Sequence, residues 1–347
     1  MRRLALVAPA IALALLAAPA SADLAACQLS AAVEDWAAAR RECAPLAEQG
    51  SGTAQLLLGR MYATGRGVGR DDAAAVTWYR RAAEQGVAEA QYRLGTICAT
   101  GRGVRPDATA AAGWYRLAAD QGDAGAQYEL GLMYASGQGV AQDYAEAVTW
   151  YRRAAEQGHA RAQGSLGVAY HAGQGVAQDY AEALKWYRRA ANQGVAGAQY
   201  NLGVIYHRGQ GVAQDRAEAA RWYRRAAEQG SADAQYNLGE MYAAGQGLPR
   251  DEREALRWYR RAAEQGHAGA QYQLGMLYAT GRGVPRSDEL AYFWLNLAVR
   301  EADTGTRKSL VALIDDAVQR LTAEQRTSLQ ERVRGWAPSP ERPEPRD

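Results

Sequence analysis

The chain has 347 residues, among them 76 alanines, 37 glycines, 20 tyrosines, 9 tryptophans and only 1 phenylalanine. Hydrophobic residues make up 48% and charged residues 22%, which excludes wholesale disorder, and the glycines lack the period of three that collagen requires. The 40 basic residues nearly balance the 38 acidic ones, so net charge gives no reason to expect nucleic acid as a partner. A composition this uneven indicates one short segment copied many times.

The first 22 residues predict a secretory signal peptide. Two arginines open the chain, an uncharged stretch rich in leucine and alanine follows, and small residues precede a cleavage expected after Ala22. The apolar stretch is too short to span a membrane, which takes about 20 apolar residues. Removal of residues 1–22 leaves 38 basic and 38 acidic side chains. We therefore expect a periplasmic or secreted protein that has no membrane span.

The cysteines offer two alternatives near the mature N-terminus. Residues 24–27 also resemble a lipoprotein cleavage box with Cys27 as the lipidated residue, although the charge of Asp23 disfavours a lipid anchor there. Export makes disulfides feasible, and Cys27 and Cys43 lie 16 residues apart in the first predicted hairpin, so a bridge between them is expected, with two free thiols as the alternative. Cys98 takes a position that tyrosine holds in other copies, which predicts a buried free thiol.

Tryptophan recurs at intervals of 36 residues. The seven positions are Trp78, Trp114, Trp150, Trp186, Trp222, Trp258 and Trp294. Around most of them the chain reads W-Y-R-R-A-A-E-Q-G, and upstream the same phase gives A-Q-Y-x-L-G-x-M-Y followed by a glycine pair. Seven such copies cover 51–302. Because one copy cannot bury its apolar face alone, we expect the copies to stack into one long core.

Each copy predicts two antiparallel helices, which we call A and B. In the third copy helix A covers about 124–135, because its apolar residues fall at helical spacing, and a glycine pair follows. Helix B starts at Asp143, which forms a predicted capping box with Glu146. The small residue at Gly131 lets helices approach closely, so Trp150 and Tyr151 are expected to pack against the next copy.

The two ends depart from the repeat. Residues 23–50 align in phase with a helix B and predict an N-terminal capping hairpin. Residues 303–336 predict two amphipathic helices that close the other end of the stack, the second opening at Thr322. Four prolines in 337–347 predict a disordered tail.

The repeated pattern resembles the Sel-1-like repeat (SLR), a relative of the tetratricopeptide repeat, over about three quarters of the mature chain. The resemblance implies an all-α fold, an α/α solenoid wound as a right-handed superhelix, and a role as adaptor or scaffold for protein complexes. Exported bacterial members of this family are often tied to envelope or host-interaction functions. The predicted function is a non-enzymatic envelope scaffold that binds a protein or peptide in its concave groove. The alternative is a peptidoglycan-related envelope enzyme, or a regulator of one.

No catalytic, cofactor or metal site is predicted. The sequence lacks G-x-S-x-G, H-E-x-x-H, S-x-x-K and K-T-G, and its G-x-G turns follow helices rather than strands, which favours turns over phosphate loops. The four histidines are spread over separate copies, and two neighbouring ones, His171 and His207, make a poor zinc site, which needs four ligands. We expect them to be surface residues near turns.

Variation between copies predicts the binding surface. One helix A column, which we call the variable column, reads Arg60, Thr96, Leu132, Val168, Val204, Glu240 and Met276. Its middle is apolar, and the next column supplies a polar rim of Glu129, Ser165, Asn201 and Asn237. Arg161 and Arg208 flank this stripe and are expected to hold an acidic group or a C-terminal carboxylate. The alternative is that these positions are merely solvated and free to drift.

Overall fold

The computed structural model describes residues 23–300 and 304–339, and every regular element in these ranges is a helix. The predicted signal peptide at 1–22 and the last residues of the proline-rich tail, 340–347, lie outside the described residues. None of the described helices has the length and apolar character needed to cross a membrane. The all-α solenoid class predicted from the sequence is confirmed. The chain forms two compact units, the first ending at Ala162 and also holding Gln174–Val176, and the second formed by Gln163–Gly173 and the chain from Ala177 onward.

Two helices per repeat follow each other along the chain, after an N-terminal pair made of α1 (23–32) and α2 (Trp36–Glu48). The A helices are α3 (Gly52–Thr64), α5 (Ala88–Thr100), α7 (Ala124–Ser136), α9 (Ala160–Ala172), α11 (Ala196–Arg208), α13 (Ala232–Ala244) and α15 (Ala268–Thr280). The B helices are α4 (Asp72–Glu84), α6 (Ala108–Asp120), α8 (Tyr144–Glu156), α10 (Tyr180–Asn192), α12 (Arg216–Glu228), α14 (Glu252–Glu264) and α16 (Asp288–Ala298). Two C-terminal helices, α17 (Thr304–Val318) and α18 (Ala323–Gly335), complete the fold.

The glycine pair after each A helix has two separate causes. In the third repeat Gly137 ends α7 with a φ of 73°, the left-handed conformation that favours glycine at a helix C-terminus. Gly139 has a similar φ of 74°, and a Cβ placed there would lie 2.2 Å from the carbonyl oxygen of Ala108, at the start of α6. The second glycine therefore lets the turn of one repeat touch the backbone of the preceding B helix.

An aspartate caps most B helices, but the predicted capping box is only half formed. The Oδ1 atom of Asp143 accepts hydrogen bonds from the backbone N–H groups of Ala145, at 2.9 Å, and Glu146, at 3.0 Å. In the fourth repeat the glutamate at the third helical position does not return a bond to the cap. The Glu182 carboxylate instead accepts from Nζ of Lys185 at 2.9 Å and from Nε1 of Trp186 at 3.1 Å. A nearby cation and indole outcompete the solvated backbone N–H.

In the first six repeats the tryptophan is followed by a tyrosine that contacts the A helix of its own repeat. A Cβ placed on Gly131 would lie 2.6 Å from the ring of Tyr151, so only glycine lets α7 and α8 approach this closely. Trp150 belongs to a core cluster whose other members all precede it, between Leu56 and Met133. The expectation that Trp150 packs against the next repeat was therefore wrong, and for Tyr151 the close contact shown is with its own repeat. The small residue lies opposite the tyrosine of the same repeat, and the tryptophan packs with residues that precede it in the chain.

A buried glutamine ladder joins consecutive helices within each unit. Nε2 of Gln91 donates to the carbonyl oxygen of Ala83, at the end of α4, over 3.1 Å. Oε1 of the same side chain accepts from Nε2 of Gln121, at the end of α6, over 2.7 Å. The equivalent glutamines of all seven repeats are at most 5% exposed. In the first, second, third, fifth and sixth repeats this amide is bonded on both sides, so a buried polar group becomes a structural joint between successive helices.

The two ends are stabilised differently from the repeats. At the N-terminus the sulfur atoms of Cys27 and Cys43 lie 2.06 Å apart, so a disulfide links α1 to α2. Cys98 is a buried free thiol, as the sequence predicts. At the other end Thr322 and Gln325 form a complete capping box for α18. Beyond that helix the backbone N–H of Ser339 donates to the carbonyl oxygen of Glu264 at 3.0 Å, so residues 336–339 pack back against the end of α14.

Candidate partner-binding surface

The variable column lies at the protein surface in both units. Arg60, Leu132 and Val168 are exposed, and the other members, Thr96, Val204, Glu240 and Met276, are half-buried. None of the seven side chains is buried in the core, although the helices that carry them bury their leucines and glutamines. The column is therefore accessible to a partner along the A helices of each unit.

In the first unit the column meets the polar rim at α7. Leu132 is 36% exposed, which is unusual for a large apolar side chain on these helices. Glu129 on the same helix is half-buried, and burial raises the pKa of its carboxyl group, an effect that the charge of Arg161 partly offsets. Arg161 itself is exposed. This part of the surface combines an apolar side chain with a carboxylate of reduced acidity and a free-standing cation.

In the second unit the predicted apolar positions are Val168 on α9 and Val204 on α11. Val168 is 43% exposed and Val204 is half-buried. The predicted rim residues Ser165 and Asn201 are half-buried, and Arg208, at the end of α11, is exposed. The structure thus gives each predicted residue the exposure that a binding surface requires. Whether a partner uses them stays a prediction.

A recess in the first unit includes the first two members of the variable column, Arg60 and Thr96, which precede Leu132. It has a volume of about 530 Å³ and lies between α3, α4 and α5. Its lining residues are Arg60, Ala63, Thr64, Asp72, Ala75, Tyr79, Arg93, Thr96, Ile97, Thr100 and Arg102. This volume falls within the range of pockets that hold small ligands or single side-chain groups. We call it the arginine recess.

The arginine recess has an excess of positive charge. Its lining holds three arginines and one acid, Asp72. That carboxylate is already engaged, because it accepts from Nε of Arg102 at 2.9 Å and from a terminal nitrogen of Arg70 at 3.0 Å. The hydrogen bond from Arg70 is the main reason why the pKa of Asp72 is lowered, with the charges of Arg102 and Arg70 adding to it. Asp72 therefore stays ionised and does not neutralise Arg60 or Arg93.

Tyr79 forms the floor of the recess as a neutral hydrogen-bond donor. Only 4% of this residue is exposed, and burial raises its pKa to about 12, although the charges of Arg93, Arg60 and Arg102 act against that rise. The phenol hydroxyl therefore keeps its proton at any physiological pH. Across the described residues it makes no hydrogen bond, and the guanidinium of Arg60 makes neither a hydrogen bond nor an ion pair.

Sequence reasoning chose the apolar middle of the column and missed this recess. From the sequence alone, no role was assigned to Tyr79, Arg93 or Arg102. A signal was available, since Arg60, Arg93 and Arg102 place three cations in two adjacent repeats, on the A helices and in the turn after the second one. What the sequence could not give is the orientation of the tyrosine hydroxyl between α3 and α5.

The histidines are structural in the described chain. Nδ1 of His159 accepts from the backbone N–H of Ala162 at 3.2 Å, and Nδ1 of His267 accepts from that of Ala270 at 3.1 Å, so both act as caps of A helices. His171 and His207 lie beside the tyrosines of their own repeats, Tyr187 and Tyr223. Among residues 23–300 and 304–339, no cluster of three or more histidine, cysteine or acidic side chains is arranged to hold a metal ion.

Comparison with known proteins agrees with the repeat geometry. The sequence profile of the Sel1 repeat matches seven consecutive segments, which are 52–87, 88–123, 124–159, 160–195, 196–231, 232–267 and 268–303. The chain belongs to the Sel1 repeat family. Members generally mediate protein–protein interactions on a repeat scaffold that is generally non-catalytic. No curated protein matches the chain.

Solved Sel1 repeat structures are similar to this one. A Sel1 repeat protein from Oxalobacter formigenes is 38% identical, with a TM-score of 0.65, over 79% of this chain and 80% of that one. The protein c5321, a protective antigen of uropathogenic Escherichia coli with an SLR fold, is 31% identical over 87% of this chain and 80% of that one, with a TM-score of 0.43. The Oxalobacter protein supports the fold, and neither description names a partner.

Proposed function

We propose that the protein is an exported, non-enzymatic adaptor that binds a protein or peptide partner on the variable column of its A helices. The observation that carries this proposal is the exposure of Leu132 and Val168, at 36% and 43%, at one repeat position. Leucines two residues earlier, such as Leu130 and Leu166, point to another side of the same helices and are fully buried. Within each unit, an exposed apolar side chain beside polar rim residues is what a partner surface requires.

Export is the second part of the proposal, and it rests on the sequence of residues 1–22 together with the N-terminal disulfide. Disulfides persist in the periplasm and outside the cell and are rare in the reducing cytosol. A bridge between Cys27 and Cys43 supports a periplasmic or secreted location, and it also argues against a lipid anchor, because the sulfur of Cys27 is already bonded. The proposed mature protein begins at Asp23 and carries no lipid.

Partner capture tests the surface. The mature protein, tagged at its C-terminus, is used to capture proteins from envelope extract of the source bacterium, in parallel with the double variant Val168→Asp with Val204→Asp. The variant is expected to lose the captured partner, because two charges on the apolar positions would have to be desolvated on binding. The melting temperature of each single variant is measured alongside, because Val168 is exposed whereas Val204 packs partly against a core cluster and Val204→Asp is expected to lower stability.

A matched control separates a surface effect from a general effect of charge. Val33 and Val311 are 65% and 44% exposed and lie outside the A helices, so Val33→Asp with Val311→Asp makes the same chemical change elsewhere. The control should capture the partner as the parent does. Capture that survives in the column variant, or that fails equally in the control, would reject the variable column as the binding surface.

A further inference from the structure

The sixth and seventh repeats contain the same group of positions as the arginine recess, but with a carboxylate of the chain among them. In the second unit the carboxylate of Glu240 accepts a short hydrogen bond from the hydroxyl of Tyr259. It also accepts from Nε2 of Gln273, on the following A helix, over 2.9 Å. Here a carboxylate that belongs to the chain itself sits between a buried phenol and a donor from the next repeat.

The same three positions in the first and second repeats carry donors without the acceptor. Five repeats earlier, the positions of Glu240, Tyr259 and Gln273 are occupied by Arg60, Tyr79 and Arg93. The phenol is retained, the amide donor is replaced by a guanidinium, and the carboxylate is replaced by a second guanidinium. The recess therefore keeps the two donors, and no carboxylate stands at the position of Glu240 to accept from both of them.

The remaining polar groups of the recess leave these donors free for a ligand. Thr64, Thr96 and Thr100 point their hydroxyl hydrogens at carbonyl oxygens of their own helices, at 2.7, 3.1 and 2.8 Å. Those hydroxyls are thus committed as donors. Arg93 pairs with Glu89 at 3.2 Å, but both side chains are more than 40% exposed, and such surface pairs are weak enough to be exchanged for a better partner.

We propose that the arginine recess binds a carboxylate of an acidic peptide segment in the partner protein. The hydroxyl of Tyr79 donates a hydrogen bond to the carboxylate. Arg60 supplies an unpaired guanidinium, and Arg93 supplies a second one from the next repeat. A charge-assisted bond to guanidinium is about twice as strong as a neutral one, and the planar fork of arginine matches a carboxylate. This inference rests on the proposed function, because it names the chemistry of a partner that binds on the variable column.

Defined peptides test the proposal and separate the two sources of carboxylate. The first probe is fluorescein-labelled Gly-Ser-Glu-Glu-Glu-Ser-Gly with an amidated C-terminus, which carries only side-chain carboxylates. The second replaces the three glutamates by glutamine and keeps the amide, and the third is the glutamine peptide with a free C-terminal acid. Fluorescence anisotropy with the mature protein is expected to show binding of the first or third probe at least about tenfold tighter than of the second.

Three variants locate the site. Arg60→Glu places the residue of the sixth repeat in the recess and should weaken binding of the acidic probe by more than about tenfold, because an internal carboxylate then occupies the donors. Tyr79→Phe removes only the hydroxyl and should weaken binding by about threefold to tenfold. Arg105→Glu, an exposed position outside the recess, makes the same charge change as Arg60→Glu and should alter binding by less than about twofold.

The outcomes of these experiments either support or reject the carboxylate site. Equal losses for Arg60→Glu and Arg105→Glu, or tight binding of the amidated glutamine probe, would overturn the carboxylate site. If Arg60→Glu fails to fold, Arg60→Gln gives the same reading without a charge reversal. Partner capture that depends on Val168 and Val204 while probe binding ignores Arg60 would reject the recess and keep the proposed function. The reverse pattern would keep the recess and reject the proposed surface.

Discussion

Two sets of positions in the same repeats behave in opposite ways. The buried glutamine of each A helix is the same residue in all seven copies, namely Gln55, Gln91, Gln127, Gln163, Gln199, Gln235 and Gln271. The variable column, less than two helical turns further on, changes from arginine to threonine, leucine, valine, glutamate and methionine. The glutamine cannot change because it must satisfy a carbonyl of one B helix and an amide of the next. Most column positions have no such obligation, and Glu240, which accepts from Tyr259 and Gln273, is an exception, so the chemistry of the column is freer to serve recognition.

The largest effect is expected when a buried tryptophan of the repeat is removed. Trp186 is 4% exposed, so Trp186→Ala should lower the free energy of unfolding by about 3–5 kcal/mol, through lost burial and the cavity left behind. Urea unfolding followed by circular dichroism measures it.

Trp114 provides an internal control, because it holds the equivalent position in the second repeat but is only half-buried. Trp114→Ala should cost clearly less than Trp186→Ala. A loss below about 1 kcal/mol for Trp186→Ala would mean that the tryptophan column belongs with the recognition surface rather than with the joints.

The disulfide links the two helices that precede the first repeat. Cys27→Ser with Cys43→Ser should destabilise the protein by about 3 kcal/mol, the value expected for a loop of this length. Thermal melting of the parent, with and without reductant, against the double variant measures it.

The mass of the exported protein provides an independent check. It should be about 2 Da below that of the reduced form, with Asp23 as its first residue, because one disulfide removes two hydrogens. An acylated N-terminus at Cys27 would contradict both the bridge and the proposed lipid-free mature protein that begins at Asp23.

The sequence predicted where the helices and turns lie, but not which residues of neighbouring helices contact one another. Repeat length, helix positions and glycine turns follow from periodicity, so α7 at Ala124–Ser136 differs from the expected 124–135 by one residue. The pairing of Gly131 with Tyr151, and of Gln91 with Gln121, depends on the rotation of one helix against another, which a single-helix pattern does not contain. The recess was missed for the same reason, since the position of the Tyr79 hydroxyl relative to Arg60 and Arg93 is set by three helices together.

A medium effect sharpens the comparison at one joint. Gln91→Leu fills the same buried space but leaves the carbonyl of Ala83 and the amide of Gln121 without their partner, which should cost about 1–3 kcal/mol. The matched control is Gln138→Leu, because that glutamine lies exposed in a turn and should change stability by less than about 0.5 kcal/mol. Comparable melting temperatures for the two variants would show that the ladder is a tolerated feature and not a joint.

The smallest expected effect is a dependence of stability on pH that arises from the histidines. Burial lowers the pKa of His159, His171 and His207 below the ordinary value of 6.5, and the nearby arginines lower it further. Because the unfolded chain then binds protons more readily than the folded one, this contribution to stability is complete above pH 6.5. It is lost as the pH falls through the lower values of the folded protein. The raised pKa of Glu129 acts in the opposite sense and offsets part of the loss.

Melting curves at about pH 7.5 and about pH 5.5 should therefore show a melting temperature lower by a few degrees in acid. His159→Ser should reduce this difference without removing it. Protonation of His159 takes away the Nδ1 acceptor that caps α9, whereas serine already caps the equivalent helices at Ser51 and Ser231 and does not titrate. His171 and His207 keep their lowered pKa values in this variant, so part of the dependence remains. A melting temperature equal at both pH values in the parent would show that these histidines titrate alike in the folded and unfolded chain, and that their positions tolerate charge as the variable column does.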